Sequence, residues 1–478
     1  MKNLIGNEWK PSSIGEIVEV RNPYNNVLID TVPNSSFDDI NEAIKIADNA
    51  RRRWIGIPIN ERCEIMLKFK ALVKKELLDL AKSLTNETGK SIVETKEEIK
   101  DLIELTQAFV EKARHMYGNI IPAGLDSQND TTIQMTSREP IGIVAAILPF
   151  NMPVKTFAHK VPAALIMGNT VVIKPSSKTP LTTTRLVYLL RVAGVPEGVV
   201  QVIHGTGEKA GNALVRHPDL QLITFSGSTV NGVKVMESAS TNLTRVLLEL
   251  SGNDAMIVCH DADIELATDE AIKGRLSNMG QSSSSTKRFL VHKEKRNEFI
   301  NLLVKKIREM KFGNPLDDNT SLSPLIDEES AIKVEEQVNK LVSLGAKILI
   351  GGHRNKNYYE PTILININEN MNYVSNIEIL GPVIPIIEFE DINTAIRIVN
   401  ETPYGLASSI FTKDIKTAFK AARYIQSGTV VINGSTAYRS NEMAYGGWKY
   451  SGFGTEGVSS TLEQLSLVKT TVLKDVLE

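Results

Sequence analysis

The sequence predicts an α/β fold: two blocks of mostly parallel sheet with helices on their faces, plus a small separate β element. Three observations carry this. From residue 141 onward, short apolar runs alternate with helix-length segments. The alternation restarts after Gly252. Two further strand-like stretches, at residues 119 to 138 and at the C-terminal end, stand outside both series. Strands alternating with helices of this length build parallel sheets covered on both faces.

The elements follow in order. Residues 37 to 53 read as a helix, because Ile40, Ile44, Ala47 and Ala50 recur at helical spacing behind a capping box of Ser36 and Asp39. A second helix is expected from about Glu61 to Thr88, stopped by Gly89, and a third from about Glu94 to Met116, ended by Gly118. Residues 119 to 138 read as a hairpin whose exposed turn is AGLDSQND. The first alternating block comprises IGIVAAILPF, TFAHKVPAALIMG, TVVIKP, LTTTRLVYLLRVAG, VVQVIHG and LQLITFSG. The second comprises AMIV, a helix from Asp263 to Ser277, RFLVH, a helix from Lys293 to Met310, a helix near 328 to 344, and AKILIGG. The tail LSLVKTTVLK reads as a late strand that pairs either with the hairpin or with a neighbouring subunit.

The 478 residues, 42% hydrophobic and 23% charged, are enough for large cores without disulfides or metals. The net charge of −2 argues against general attraction to nucleic acid. The start, MKNLIGNEWKP, lacks the apolar core of a signal peptide, and no apolar run approaches the ~18 residues of a membrane span. Cys63 and Cys259, the two cysteines, have no metal-binding spacing and read as buried core positions. The expectation is a cytoplasmic enzyme with no membrane, nucleic-acid or metal partner.

Five segments are able to carry chemistry. LQLITFSGSTVNG is a strand, a glycine turn and a helix: Gly227 allows the tight turn, and Ser228 and Thr229 at the helix start bring free N–H groups and a helix dipole to where a pyrophosphate would bind; it is not the GxGxxG fingerprint. TVVIKPSSKTP places Lys174 at the carboxyl edge of a strand, where parallel sheets bind ligands. Asn151, between two prolines in LPFNMP, is either a turn residue or a rigidly held oxyanion donor. Glu249 ends an apolar strand and is either at the surface or a general base. The loop NMGQSSSSTKRF is either a flexible turn or a place to present a nucleophile.

Taken together and in this order, PFNMP, VVIKPS, FSGSTVNG, LELSGN, NMGQSS, EILGP, PYGLAS and YGGWKYSGFGTEG resemble the aldehyde dehydrogenase superfamily over nearly the whole chain. The resemblance implies a cofactor domain (1-118 and 139-250), a catalytic domain (251-435) and oligomerisation strands (119-138 and 458-478). It implies that Asn151 is the oxyanion amide and Glu249 the general base. Glu378 would hold the nicotinamide ribose, Lys174 the adenosine ribose and Ser228 the pyrophosphate. Phe150, Ser176, Ser177, Lys178, Gly227 and Leu380 would complete the cofactor site.

The chain departs from the family pattern at the nucleophile. The pattern NxGQxC, with a basic residue five positions on, is matched by Asn278, Gly280, Gln281 and Arg288, which puts Ser283 where the cysteine belongs. A thiol near pKa ~8.5 is readily activated. A hydroxyl needs an adjacent base, and no histidine lies near the motif. The expectation is an inactivated form, carrying an introduced Cys-to-Ser change; a natural serine is the alternative.

In members that prefer NAD, a glutamate commonly stands three residues after the lysine of VVIKPS. Here that position is Ser177, followed by Lys178, so NADP is the expected cofactor, with NAD possible. Ser282, before the nucleophile position, is neutral, which argues against a phosphorylated substrate. Met152, Lys155, Tyr438 and Arg439 would line a polar mouth suited to a small hydroxyaldehyde of the glyceraldehyde or lactaldehyde type. Succinate semialdehyde or another short-chain aldehyde is the alternative. Glu249 favours hydrolysis to the free acid. A homodimer or homotetramer is expected. Two other classes stay open: a non-catalytic protein on this fold, and a serine esterase, which lacks GxSxG.

Overall fold

The computed structural model describes residues 1–125, 131–367 and 371–474. Two large sheets and one small one organise them. The first sheet has eight strands, and its inner five are parallel, in the order Val200–Val202, Thr170–Lys174, Ile143–Ile147, Leu222–Ser226, Arg245–Glu249. The second has seven, all parallel except Lys347–Ile350 at one edge.

Each large sheet separates two apolar clusters. In the strand Ile143–Ile147, Val144 and Ala146 face one cluster while Ile143, Ala145 and Ile147 face the other. In Asp254–Val258, Ala255 and Ile257 face one side and Met256 and Val258 the other. This two-residue alternation with both faces buried is why these strands read as unbroken apolar runs.

The strand order positions the site. From Ile143–Ile147 the chain moves outward to Thr170–Lys174 and Val200–Val202, then returns to the other side with Leu222–Ser226. The order therefore reverses between Ile143–Ile147 and Leu222–Ser226, and ligands of open α/β sheets bind beyond the carboxyl ends at such a reversal. The next strand ends at Glu249, and the chain crosses directly into the second sheet at Asp254. The loop before Thr286–His292 approaches from that second sheet, so carboxyl ends of one sheet meet amino ends of the other.

The first helix is Phe37–Ile55, and its Ser36–Asp39 capping box forms as read. The expected helix from 61 to 88 is two helices, Ile59–Lys75 and Leu77–Thr88, broken at Glu76. Glu76 receives two hydrogen bonds from Arg185, at 2.8 and 2.6 Å. With neither glycine nor proline there, the sequence carries no local signal of the break. The third expected helix, the fourth observed, starts at Ile92, with a second capping box from Ser91 and Glu94, and ends at Ala113.

The hairpin forms between Ile120–Ile121 and Ile133–Pro140; residues 126 to 130 of its turn lie outside the described residues. The tail strand Ser466–Leu473 pairs antiparallel with Ile133–Pro140 of the same chain over its full length. Residues 458 to 464, expected with the oligomerisation strands, form the helix Val458–Gln464, whose Val458 and Leu462 pack into the first large core. Among the described residues no helix is long and apolar enough to cross a membrane.

Candidate active site

A cavity of about 420 Å³ opens where the two sheets meet. Asn151, Glu249 and Ser283 all line it. Phe150, Met152 and Lys155 enter with Asn151, Lys174, Ser176 and Ser177 from the next strand's end, and Gly227 and Ser228 from the turn after Ser226. Glu378, Leu380, Ser282 and Arg439 complete the predicted set that lines it.

Two predicted residues are not brought in. Tyr438 is 59% exposed and lies outside the cavity. Lys178 turns to form an ion pair with Asp327 and borders a neighbouring groove, its ammonium 5.7 Å from the Phe150 ring centroid. Its charge is already matched, by a partner far away in sequence.

Asn151 is held from three sides. Its side-chain nitrogen donates to Gln281 O at 2.7 Å, and its carbonyl accepts from Asn278 Nδ2 at 3.1 Å and from Lys90 Nζ at 3.4 Å. An amide nitrogen carries two hydrogens, so one donor remains. The helix Pro153–Ile166 begins just after it, and Glu98 from the Ile92–Ala113 helix accepts from Val154 N and Lys155 N at 2.9 and 3.0 Å. Pro153 has no N–H, so that carboxylate satisfies the first two N–H groups of the helix itself.

The loop before Ser283 is a run of left-handed backbone: Asn278 (φ 48°), Met279 (φ 53°) and Gly280 (φ 74°). This conformation disfavours a residue such as methionine by about 1–2 kcal/mol. Surrounding bonds hold it in place. Glu94 accepts from Asn278 N at 2.6 Å, and Gln281 donates to Asn278 O at 3.1 Å while accepting from Ile326 N at 3.0 Å. At Gly280 a β-carbon would lie 2.4 Å from Gly381 O. Asn, Gly and Gln of the NMGQ motif thus each have a local mechanical reason. Arg288 is buried and donates to the carbonyls of Asn253, Ile398 and Val399 at 2.8–3.0 Å, anchoring the strand that follows the loop.

Glu249 is part-buried. Ser226 donates to its Oε2 at 2.7 Å, and Arg439 Nη1 lies 3.7 Å from its Oε1. Arg439 also pairs with Glu456 at 2.5 Å and lies over the Tyr445 ring, 4.3 Å from its centroid. Lys160 pairs with Glu456 at 2.9 Å. Burial raises the Glu456 carboxyl, but the Lys160 and Arg439 charges outweigh it and hold it well below the usual range. Burial, reinforced by Arg439, keeps His159 well below its ordinary value, so it is neutral. Sequence reading missed Lys160 and Glu456. The signal was available: two adjacent ionisable residues, His159 and Lys160, in the middle of a mostly apolar helix.

Of the residues expected to hold a dinucleotide, Lys174, Ser228 and Glu378 line the same cavity. Ser228 caps the helix Thr229–Ser240, its hydroxyl accepting from Asn231 N, and Gly227, Ser228 and Asn231 border the cavity at that helix start. Lys174 is 4% exposed, and its ammonium makes one hydrogen bond, to Pro175 O at 3.2 Å. Burial pushes it down to about 8. Glu378 accepts from Gly252 N at 3.1 Å. A β-carbon at Gly252 would lie 2.6 Å from Ser283 O, so the SGN turn is glycine because the loop presses against it.

No histidine lines the cavity among the described residues, which leaves the serine-esterase reading without its base. Cys63 and Cys259 are both buried and border no part of it. Burial pushes the Cys259 thiol up to about 12. Among the described residues no cluster of His, Cys, Asp and Glu is placed to hold a metal.

Residues 9–471 match the model of the aldehyde dehydrogenase family. The chain belongs to that family. It is 36% identical over 460 residues to a lactaldehyde dehydrogenase of Methanococcus aeolicus, covering 95% of this chain and 97% of that one. It is also 36% identical to a 3-sulfolactaldehyde dehydrogenase of Priestia megaterium over 469 residues, 98% and 97% of the two chains. An NADP-dependent enzyme of E. coli of known structure superposes with a TM-score of 0.95 at 32% identity, covering 99% and 98%. Members of the aldehyde dehydrogenase family oxidise aldehydes with NAD or NADP, and the fold described above is theirs.

Proposed function

We propose that this aldehyde dehydrogenase acts on a small, unphosphorylated hydroxyaldehyde of the glyceraldehyde or lactaldehyde type. It forms the carboxylic acid and prefers NADP, and Ser283 holds the present chain inactive. The observation that carries the reading is the meeting of Asn151, Glu249 and Ser283 in one cavity beside Lys174, Ser228 and Glu378.

In the cysteine form, the thiolate at 283 adds to the aldehyde carbon. The spare Asn151 N–H receives the developing oxyanion, an interaction worth about 3–4 kcal/mol at comparable sites. NADP, when bound, supplies the acceptor for the hydride leaving that carbon. Glu249, oriented by Ser226, takes a proton from the water that opens the resulting thioester. The serine hydroxyl has no neighbouring imidazole to take its proton, so the first step stalls. Lys174, the start of the Thr229–Ser240 helix and Glu378 are assigned to the cofactor, and the neutral Ser177 leaves room for a 2′-phosphate.

Support for an unphosphorylated substrate comes from charge matching. Lys155 pairs with Asp101 at 3.1 Å and Arg439 with Glu456, so neither offers an uncompensated cation to a phosphate. The two relatives above are named for lactaldehyde and sulfolactaldehyde. We assign oligomerisation to the antiparallel sheet of Ile120–Ile121, Ile133–Pro140 and Ser466–Leu473, giving a dimer or tetramer, and the compartment to the cytoplasm. A naturally non-catalytic homologue is the second reading and rests on Ser283 alone.

The test is a panel of glyceraldehyde, lactaldehyde, succinate semialdehyde and glyceraldehyde 3-phosphate on Ser283→Cys with each cofactor. The first two are expected to give the highest kcat/KM. A preference for the phosphorylated triose would overturn the substrate assignment.

A further inference from the structure

Beneath the loop that carries Ser283 lies a charge that the reaction scheme does not use. Lys287 is fully buried, on the strand Thr286–His292. Its ammonium donates to three backbone carbonyls of the loop: Ser282 O at 2.9 Å, Ser283 O at 2.6 Å and Ser285 O at 3.1 Å. It also stands 3.6 Å from Glu378 Oε1. An ammonium has three hydrogens, so the carbonyls use its donors fully and the carboxylate balances its charge.

This geometry has a directional consequence. In a trans peptide the N–H points opposite to the C=O. Drawing Ser282 O down onto Lys287 therefore turns the N–H of Ser283 away from it. The same charge sits one carbonyl from the side chain at 283, in a buried setting where screening is weak.

We propose that Lys287 is a positioning residue for the reaction: its buried ammonium gathers the 282–285 backbone, fixes the orientation of the side chain and amide at 283, and ties that loop to the cofactor carboxylate Glu378. The proposal rests on position 283 being the place of the nucleophile. The other charged groups facing Lys287 are Asp254, at the start of the adjacent strand, and Arg275, from the helix Ile264–Leu276. Arg275 donates to Ser285 Oγ at 3.0 Å and to the carbonyls of Val383 and Ile379. One Asp254 oxygen accepts from Ala407 N at 3.1 Å, and the other is buried without a partner. Burial pushes Lys287 down to about 8, with Glu378 and Asp254 opposing that fall, so the ammonium is charged at neutral pH.

The experiment uses Ser283→Cys, in which the new thiol is the accessible one because Cys63 and Cys259 are buried. Iodoacetamide alkylation is followed against pH, with NADPH fluorescence titration and dehydrogenase activity on the same samples. Lys287→Met is expected to move the alkylation midpoint up by about one pH unit, a roughly tenfold slower reaction at neutral pH, and to weaken NADPH binding severalfold. Lys287→Gln keeps a hydrogen-bond donor but no charge, and is expected to shift the midpoint the same way. If the methionine variant does not fold, the glutamine variant decides. A midpoint unmoved by loss of the charge, in an active Ser283→Cys enzyme, overturns this proposal alone. If Ser283→Cys shows neither a reactive thiol nor activity, the nucleophile assignment and this proposal fall together.

Discussion

Ser226 donates its hydroxyl to Glu249 across 2.7 Å, and the two are directly opposed in the register of adjacent parallel strands. The sheet itself therefore aims the carboxylate. Ser226→Ala in the Ser283→Cys enzyme is expected to lower kcat about tenfold and leave KM within twofold, since a hydrogen bond to a charged group is worth about 1.5–3 kcal/mol. Steady-state kinetics on one aldehyde checks it. A change confined to KM would contradict the orienting role.

Glu98 holds the helix that follows Asn151. Glu98→Ala leaves Val154 N and Lys155 N without their acceptor and the buried Lys90 ammonium without its counter-ion. Breaking a buried ion pair by removing one partner costs about 3–5 kcal/mol. A lower urea midpoint is expected, together with lost activity in the cysteine form, because Asn151 is set by the same turn.

Lys174 should trade stability for cofactor binding. Its folded value of about 8 lies below the ordinary 10.5, so between those two pH values the unfolded chain binds the extra proton. Stability therefore rises with pH across that window, and the penalty of the buried charge is fully present below it. Lys174→Met is expected to raise unfolding stability at pH 7 by about 1–3 kcal/mol, to flatten the rise between pH 8 and 10.5, and to weaken NADPH binding. Urea titrations at pH 7 and 10 beside a fluorescence titration test all three.

The proposed NADP preference rests on the charge near Ser177. Ser177→Glu is expected to weaken NADP binding by tenfold or more while NAD binding holds or improves. Asp327→Asn frees the Lys178 ammonium from its partner and is expected to strengthen NADP binding. An NAD affinity equal to or above that for NADP in the unaltered chain would refute the preference.

Local chemistry made much of this legible in the sequence. The Ser36–Asp39 box, the apolar strands and the glycine turn at Gly227 depend on neighbours a few residues away, and they formed as read. What the sequence could not show depends on distant partners. Lys178 left the cavity for Asp327, 149 residues on. Glu76 broke a helix while engaging Arg185, 109 residues on. Lys287 drew no attention because nothing in TKRFLVH says that its ammonium folds back under the loop preceding it. Tyr438 and Arg439 are adjacent in sequence, yet one faces solvent and the other pairs with Glu456, on the far side of a turn that Tyr438 N closes onto Ser435 O.

The most direct measurement is NADPH formation from lactaldehyde or glyceraldehyde by the purified chain before and after Ser283→Cys. The serine form should show no measurable turnover while still binding NADPH, and the cysteine form should gain at least a thousandfold. Equal activity in both, or none in a folded cysteine form that binds NADPH, would contradict the placement of the nucleophile at residue 283.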